Sequence, residues 1–236
     1  MDKTMKTHRL KIHVALAACL LVSLAFLVFQ LYPPEFHRDD VALLRRIKTH
    51  NDVGDNLNWS GKNYGEWEGV FWDDGVSQRR VYKLQIPEKQ LAGTLFVSKL
   101  TELTELVCFS NDLTGLDVAS LSNLTNLTCS SNKLTGLDLR GLTSLRRLLC
   151  DKNRLTALDV SAPRNLRDLR CGSNRLNSLD VAPLTQLEIL LCDNNGLTAL
   201  DVGGLKNLRD LRCESNRLTA LDVALLTQLT VLLCDD

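Results

Sequence analysis

The chain has 236 residues, 44% of them apolar, which is enough to bury the core of one domain and leave room for further segments. Basic residues (Lys and Arg) and acidic residues (Asp and Glu) number 28 each, and this balance excludes a global basic field that would recruit nucleic acid or anionic lipid. Aromatic residues make up only 5%, which is low for a compact globule but normal for a repetitive core filled with leucine.

The N-terminus combines a basic tail with an apolar run. The tail, residues 1–11, carries four basic side chains: Lys3, Lys6, Arg9 and Lys11. Residues 12–31 are apolar over about the length that a helix needs to cross a bilayer, and Pro33 and Pro34 then stop the helix. Because the positive charge precedes the apolar run, the positive-inside rule predicts a single-pass signal anchor with the tail in the cytoplasm. The remainder of the chain would then lie outside the cytoplasm, at the cell surface, after a linker at 32–38.

Two other interpretations of this segment stay open. A cleaved signal peptide would use the small residues Ser23–Ala25 as its site and would release a secreted protein, although the apolar run continues past that site. Lipoprotein processing would use Leu16–Cys19, although a short run precedes Cys19 and mostly apolar residues follow it. All three interpretations export the remainder of the chain.

Residues 39–102 are not repetitive and are predicted to form a cap and a first irregular repeat. Asp39 and Asp40 are candidate N-caps of an amphipathic helix. Its apolar face would consist of Val41, Leu44 and Ile47. A polar loop follows, and residues 80–86 then alternate between apolar and polar as a strand does.

A 21-residue unit recurs seven times over residues 103–236, and its last copy is truncated. The pattern is Leu-x-x-Leu-x-Cys-x-x-Asn-x-Leu-x-x-Leu-Asp-Val-x-x-Leu-x-x. The copies start at Leu103, Leu124, Leu145, Leu166, Leu187, Leu208 and Leu229. One such unit cannot bury its apolar side chains alone, so stacking of successive units into a continuous core is expected.

This pattern resembles the leucine-rich repeat signature, and its cysteine column and Leu-Asp-Val segment resemble a bacterial subtype related to the internalins. The resemblance implies an α/β solenoid, a horseshoe or arc with a concave parallel β-sheet. A cap containing a helix would precede the repeats, and the transmembrane helix would precede the cap. Such a protein binds other molecules and carries no cofactor.

The cap itself resembles that of plant receptor ectodomains, in which a helix, a tryptophan and a W-x-G-V strand cover the first repeat. The matching residues are Trp67, Gly69, Val70, Leu91, Gly93 and Leu95. The plant-type cap carries cysteines near the places where Tyr64 and Phe71 stand here. Packing of Trp59, Trp67 and Trp72 is therefore expected to hold the cap; a carbohydrate-binding platform of these three rings is the alternative.

Seven of the eight cysteines occupy one column of the repeat: Cys108, Cys129, Cys150, Cys171, Cys192, Cys213 and Cys234. A fixed period identifies core positions and not a disulfide framework. Inward side chains on adjacent parallel strands would lie about 5 Å apart and point the same way, which makes a disulfide awkward. No histidine follows His50, so a metal site in the repeats lacks ligands, and the pairing of a nucleophile with a histidine that catalysis needs is missing there too.

Two polar columns accompany the cysteines. The asparagine column comprises Asn111, Asn132, Asn153, Asn174, Asn195 and Asn216. Each amide is expected to satisfy backbone groups of its own and the next unit. The aspartate column comprises Asp117, Asp138, Asp159, Asp180, Asp201 and Asp222. Each carboxylate is expected to close the turn into its Leu-Asp-Val segment, with a calcium ladder as the alternative.

In the resembling fold, the variable strand positions project onto the concave face. The candidate ligand-binding residues there are Arg147, Leu149, Asp168, Arg170, Ile189, Leu191, Asp210, Arg212, Val231 and Leu233. Aliphatic groups rimmed by charge are typical of protein interfaces, so a protein or peptide ligand is expected. Alternatively, the Asp/Arg pairs neutralise each other on a wet face, and a 42-residue duplication explains their recurrence.

The sequence therefore predicts a membrane-anchored, extracytoplasmic protein for recognition or adhesion, and not an enzyme. The rivals are a structural surface protein without a ligand and a fragment of a larger receptor or secreted enzyme. The sequence ends one residue before the position of a seventh repeat asparagine, so an open edge with the capacity for self-association is expected there.

Overall fold

The computed structural model describes residues 35–50, 56–60, 63–75 and 78–235. In chain order the elements are β1 (Glu35–Phe36), helix α1 (Arg38–His50), a 3-10 turn (Tyr64–Glu66), β2 (Val70–Trp72), β3 (Gln78–Arg79), β4 (Val81–Gln85), β5 (Ala92–Phe96), β6 (Glu105–Val107), β7 (Asp112–Asp117), β8 (Asn126–Thr128), β9 (Arg147–Leu149), β10 (Asp168–Arg170), β11 (Ile189–Leu191), β12 (Asp210–Arg212) and β13 (Val231–Leu233). The basic tail and the apolar run predicted at residues 1–31 lie outside the described residues. Within the described ranges, no helix combines the length and the apolar character that crossing a bilayer requires.

The chain divides into two compact units, and the smaller one comprises residues 1–36 and 74–79. Of this unit the structure describes the parallel pair β1 and β3, in which Glu35 lies opposite Gln78 and Phe36 opposite Arg79. The guanidinium carbon of Arg79 lies 5.7 Å from the centroid of the Phe36 ring.

The larger unit, residues 37–73 and 80–236, is built on a nine-stranded sheet with the order β13-β12-β11-β10-β9-β8-β6-β4-β2. All neighbouring strands are parallel except β2, which runs antiparallel to β4 at the edge. From β6 onward each strand comes from one 21-residue repeat, and the central leucines lie opposite each other, as Leu106 does with Leu127. The predicted leucine-rich repeat solenoid is therefore confirmed, with one short strand per turn.

The apolar columns of the repeat face inward, as the pattern predicts. In the first repeat the side chains of six core positions are buried: Leu106, Cys108, Leu113, Leu116, Val118 and Leu121. The same columns are buried in the following repeats as far as Cys213, except at Leu137, which is half-buried. Because each turn contributes only a thin layer of apolar surface, the core is continuous along the solenoid and no turn has a core of its own.

Helix α1 packs through the predicted apolar face, since Val41, Leu44 and Ile47 are all buried. The prediction that Asp39 and Asp40 cap this helix is wrong, because the helix already begins at Arg38 and both aspartates lie in its first turn. Asp40 is only 1% exposed and instead accepts two hydrogen bonds from the guanidinium of Arg80. Its Oδ2 also accepts the backbone N–H of Val81, which joins the helix to the start of β4.

Tryptophan packing organises the rest of the cap. The rings of Trp59 and Trp67 stack with centroids 5.6 Å apart, and Tyr64 meets Trp67 edge-on at 5.1 Å. The indole N–H of Trp72 donates to the Tyr64 carbonyl oxygen at 2.9 Å. Gly69 has a φ of +75°, and a Cβ placed there would lie 1.8 Å from the carbonyl oxygen of Gln85. Only glycine fits at this position, because the backbone just before β2 passes so close to strand β4.

A second, two-stranded sheet joins the irregular first turn to the first 21-residue repeat. Strand β5 pairs in parallel with β7, so that Leu95 lies opposite Leu116, and a register shift occurs between Gly93 and Thr94. Leu91 and Leu95 are fully buried. Residues 81–102 thus form one turn of the solenoid in which β5 replaces the coil segment of the regular repeats.

Candidate functional site

The candidate site lies on the outward side of the nine-stranded sheet, on the residues that flank each central, inward leucine. In each repeat three positions belong to it, and they form three columns across the sheet. The first column reads Glu105, Asn126, Arg147, Asp168, Ile189, Asp210 and Val231. The second reads Val107, Thr128, Leu149, Arg170, Leu191, Arg212 and Leu233. The third, two residues further along, reads Phe109, Ser130, Asp151, Gly172, Asp193, Glu214 and Asp235. We call these together the outward face.

Ion pairs occupy alternate strands of the outward face. On β10, Nε and Nη2 of Arg170 donate to the two carboxylate oxygens of Asp168 at 3.0 and 3.2 Å. On β12, Arg212 makes the same two bonds to Asp210, at 3.1 and 3.2 Å. Each pair therefore fixes its guanidinium over its own strand, in a bidentate geometry that matches the fork of the guanidinium to the carboxylate.

The two ion pairs differ in one partner. The Asp168 carboxylate also forms an ion pair with Arg147 on the neighbouring strand, whose Nε lies 3.2 Å from Oδ2. Asp210 has no second cation among the described residues. The hydrogen bonds of Asp210 raise the pKa of Arg212, and the carboxylates of Glu214 and Asp193 raise it further. The Arg212 guanidinium is thus held as a positive charge among carboxylates.

Aliphatic side chains occupy the strands between the ion pairs. Leu149, Ile189, Leu191 and Val231 are half-buried, and Leu233 on β13 is 43% exposed. Isolated exposed leucines are ordinary on protein surfaces. Here leucines recur in the second column on every second strand from β9 to β13, where they alternate with the arginines of β10 and β12.

The third column carries a row of carboxylates along one border of the face: Asp151, Asp193, Glu214 and Asp235. The hydroxyl of Ser130 donates to Asp151 at 2.7 Å, and the amide of Asn194 donates to Asp193 at 2.8 Å. Within the described part of the chain, no ion pair joins these four carboxylates to a cation. This border is therefore net negative.

The outward face extends beyond the repeats onto strand β4, which the repeat pattern does not predict. Strand β4 aligns Lys83 with Glu105, and the Lys83 ammonium lies 3.0 Å from the Glu105 carboxylate. Gln85 donates to the same carboxylate at 2.9 Å, and Lys83 also lies 5.2 Å from the Phe71 ring centroid. The alternation of strand 80–86 was a signal for these outward positions, but its register with β6 was not predictable.

The asparagine column satisfies backbone groups as predicted, but the neighbouring turn that it reaches is the preceding one. The amide N–H groups of Asn132 donate to the carbonyl oxygens of Cys129 in its own repeat and of Cys108 in the repeat before. Its oxygen accepts the N–H of Leu113, also in the repeat before. The prediction of bonds to the next repeat is therefore wrong in direction. Ser131, the residue before Asn132, has a φ of +54°, and this left-handed backbone conformation contributes to the orientation of the asparagine.

The aspartate column closes turns in most repeats. Asp138, Asp159, Asp180, Asp201 and Asp222 each accept a backbone N–H two residues on. Side-chain hydrogen bonds from Arg140, and then its backbone N–H, lower the pKa of the Asp138 carboxyl to about 2. Asp117 differs, because it accepts the Ser98 hydroxyl at 2.6 Å. Among the described residues, no group of three or more metal-ligating side chains could hold a metal ion.

The cysteine column is a ladder of free, buried thiols from Cys108 to Cys213, and Cys234 is exposed. Burial raises the pKa of Cys108 and of Cys171 to about 12. Burial, and then the neighbouring Cys108, raises the pKa of Cys129 well above the ordinary value. Because the thiolate is the reactive form, these thiols are unreactive core groups at neutral pH.

A groove of about 710 Å³, which no sequence pattern predicts, lies beside helix α1. Its walls include the helix residues Leu43 and Arg46 and, from β5 and the turn after it, Phe96 and Lys99. The carboxylates of Asp39 and Asp117, opposite in charge to Arg46 and Lys99, also line it. The groove mixes charges of both signs with apolar side chains, so its walls do not define one class of ligand.

Solved structures resemble this chain, whereas no protein-family model and no curated protein matches it. The functional domain of InlJ from Listeria monocytogenes, described as including a cysteine ladder, is 34% identical over 80% of this chain, with a TM-score of 0.64. A leucine-rich repeat protein of Leptospira interrogans, LIC12759, is 29% identical over 56% of the chain, with a TM-score of 0.45. The internalin InlF of Listeria monocytogenes is 27% identical over 56%, with a TM-score of 0.42. The chain spans 40%, 43% and 48% of these proteins, respectively.

Proposed function

The chain belongs to the internalin-related leucine-rich repeat proteins, and on this basis we propose that it binds a protein ligand through the outward face. The contact would centre on strands β9 to β13, where the ten candidate residues predicted from the sequence lie. Recognition or adhesion, and not catalysis, is the function that this surface fits.

The alternation of aliphatic and ion-paired strands supports this proposal most directly. Apolar side chains that are half-exposed between fixed charges lose water-accessible surface when a partner covers them, while the charges select the orientation of the partner. The arginines also support ligand binding, because arginine is enriched in protein interfaces. The bidentate pairing with aspartate also places each guanidinium in advance, which lowers the entropy lost on binding.

Mutual neutralisation on a face without a ligand is the competing interpretation. It accounts for Arg170 with Asp168 and for Arg212 with Asp210, because exposed ion pairs of this kind need no partner. It does not address the leucines on every second strand, since these side chains carry no charge that a neighbour could neutralise. The leucine positions therefore separate the two interpretations better than the arginines do.

Placement of the repeats outside the cytoplasm is part of the proposal. It rests on the sequence of residues 1–31, in which a basic tail precedes an apolar run of bilayer-crossing length. A single-pass anchor at 12–31 would present the outward face at the cell surface, where a protein partner on another cell or in the extracellular medium can reach it. Fusion of a reporter enzyme after residue 38 tests this, because a reporter active only outside the cytoplasm should be active.

A pair of matched variants tests the binding proposal. Leu191→Asp places a charge in the centre of the outward face, and Thr198→Asp places the same charge on an exposed residue of the same repeat, outside the strands. The wild-type chain and both variants are immobilised, and extracellular proteins of contacting cells are captured and identified by mass spectrometry.

The expected result is a protein that the wild type and Thr198→Asp retain and that Leu191→Asp loses, with unchanged circular dichroism spectra in all three. Capture of the same proteins by all three chains, or by none, would show that the outward face does not recognise a partner and would favour the structural role.

A further inference from the structure

We infer that the ligand segment bound by the outward face is a polyproline-II helix, with an apolar side chain at every third residue and basic side chains beside it. This inference rests on the proposed function, because it names the kind of protein segment that the same face accepts. Three features of the described residues carry it: the spacing of the leucines, the unused donor of each arginine, and the row of carboxylates.

The leucines of the second column recur on every second strand. Parallel pairing places Leu149 beside Arg170 and Arg170 beside Leu191. The next two pairs place Leu191 beside Arg212 and Arg212 beside Leu233. Neighbouring strands of a sheet lie about 4.8 Å apart, so successive leucines lie about 9.6 Å apart along the solenoid.

A polyproline-II helix matches this spacing. It rises about 3.1 Å per residue with three residues per turn, so every third side chain lies on the same side and about 9.3 Å further on. Over the two intervals from Leu149 to Leu233 the mismatch is about 0.6 Å. An α-helix repeats a face at about 10.5 Å every seven residues, and the mismatch over the same two intervals is about 1.8 Å.

A β-strand fits less well than either helix. Its side chains return to the same face every second residue, about 6.7 Å apart, and the next return comes at about 13 Å. Neither distance corresponds to the leucine spacing of about 9.6 Å. An extended strand laid across β9 to β13 would therefore place its apolar side chains over the ion pairs as often as over the leucines.

Each arginine between the leucines keeps one donor group unused. Arg170 and Arg212 bind their aspartates through Nε and Nη2, and the described residues supply no hydrogen-bond acceptor for Nη1. A polyproline-II helix makes no internal hydrogen bonds, so its carbonyl oxygens are open acceptors. The two guanidiniums can therefore donate to ligand carbonyls between successive apolar contacts.

Charge selects the remaining ligand positions. The carboxylates of Asp151, Asp193, Glu214 and Asp235 run alongside the leucine column, and no ion pair with a cation of the described residues neutralises them. A ligand with lysine or arginine on the side of the helix that faces this row gains attraction, and a ligand with acidic residues there is repelled.

Synthetic peptides test the inference with the wild-type chain. The first peptide is a twelve-residue repeat of leucine, proline and lysine with leucine at every third position. The second is a permutation of the same composition in which leucine recurs at every second and fourth position, and the third replaces lysine by glutamate in the first. Dissociation constants are measured by fluorescence anisotropy, and the permuted peptide measures how much lysine alone contributes.

The first peptide should bind about ten-fold or more tightly than the permuted peptide, and the acidic peptide should not bind measurably. Leu191→Arg should remove the preference for the first peptide, and Thr198→Arg, which adds the same charge off the strands, should leave it unchanged. Equal binding of the first and permuted peptides, or no binding of the first peptide, would overturn the inference. If the capture experiment with Leu191→Asp still identifies a partner in that case, the proposed function stands and only the polyproline-II ligand is rejected.

Discussion

Asn153 accepts a hydrogen bond of 3.0 Å from the backbone N–H of Leu134, nineteen residues earlier in the chain and one turn back in the solenoid. The same side chain donates to the carbonyl oxygens of Cys129 and Cys150 at 3.0 Å each. Every asparagine of the column from Asn132 to Asn216 makes the same three contacts. The column thus holds successive turns together through buried backbone groups.

Replacement of Asn153 by alanine should destabilise the repeats by about 2–3 kcal/mol, because the buried N–H of Leu134 and two carbonyl groups lose their partner. Asn165→Ala is the matched control, since this exposed amide makes one hydrogen bond, to the Thr143 carbonyl. Its cost should stay below about 0.5 kcal/mol. Urea unfolding followed by circular dichroism measures both, and equal losses would contradict the role of the column.

Gly141 and Gly204 occupy equivalent positions in two repeats, yet they should respond differently to alanine. A Cβ at Gly141 would lie 1.7 Å from the carbonyl oxygen of Ala119, whereas a Cβ at Gly204 meets nothing within 4 Å. We expect Gly141→Ala to cost about 1–3 kcal/mol, since the backbone must shift, and Gly204→Ala to be neutral or slightly stabilising. Thermal melting of both variants tests this. A similar drop in Tm for the two would show that the contact with Ala119 does not matter.

The buried thiols should make stability sensitive to alkaline pH. Burial raises the pKa of Cys108 and of Cys171 from 9.0 to about 12. The unfolded chain therefore ionises these thiols at lower pH than the folded chain, and unfolding releases protons between pH 9 and about 12. The stabilising contribution is fully present below pH 9 and is lost as the pH rises through that window.

The free energy of unfolding, measured from pH 8 to pH 11, should fall less steeply in Cys171→Ala than in the wild type, because one titrating group is removed. Thr198→Ala is the control, since it changes an exposed residue and removes no titrating group, and it should keep the wild-type slope. If all three chains share one slope, burial of the thiols does not govern the alkaline response.

Asp40 should be the most sensitive polar residue of the cap. Asp40→Ala leaves the Arg80 guanidinium without its bidentate partner and the Val81 N–H without an acceptor. Loss of one member of a buried ion pair costs about 3–5 kcal/mol, and we expect the lower end because the Arg80 side chain is 23% exposed. Asp39→Ala in the same first turn removes an exposed charge and should cost less than about 1 kcal/mol. Equal costs for the two variants in chemical unfolding would contradict this assignment.

Much of the fold follows from the 21-residue period. Once Leu106 is placed inward, the period fixes Leu127 and Leu148 beside it and determines which positions face solvent. The outward columns of the candidate site were predictable for the same reason. The direction of the asparagine hydrogen bonds was not predictable. The period places an equivalent repeat on each side of Asn132, and only the conformation of the local turn decides which of the two repeats the side chain reaches.

The cap was less predictable, since its contacts have no period. The bond from Arg80 to Asp40 spans forty residues, and nothing in the helix pattern distinguishes a buried Asp40 from an exposed Asp39. The sequence left two roles open for Arg170, mutual neutralisation with Asp168 and ligand binding. The observed ion pair is compatible with both roles. Asp168 can neutralise the Arg170 guanidinium through Nε and Nη2, while Nη1 can still donate a hydrogen bond to a ligand.

Site-specific photo-crosslinking tests the central claim, that the outward face contacts a protein partner, most directly. A photoreactive phenylalanine is introduced at Leu149 or Leu191 on the face, and at Thr156 or Thr198 as exposed controls of the same repeats. The cells that carry the chain are irradiated in contact with candidate partner cells. We predict a covalent adduct of defined mass from Leu149 and Leu191 and none from Thr156 and Thr198. Adducts from the control positions alone, or no adduct from either leucine, would contradict the claim.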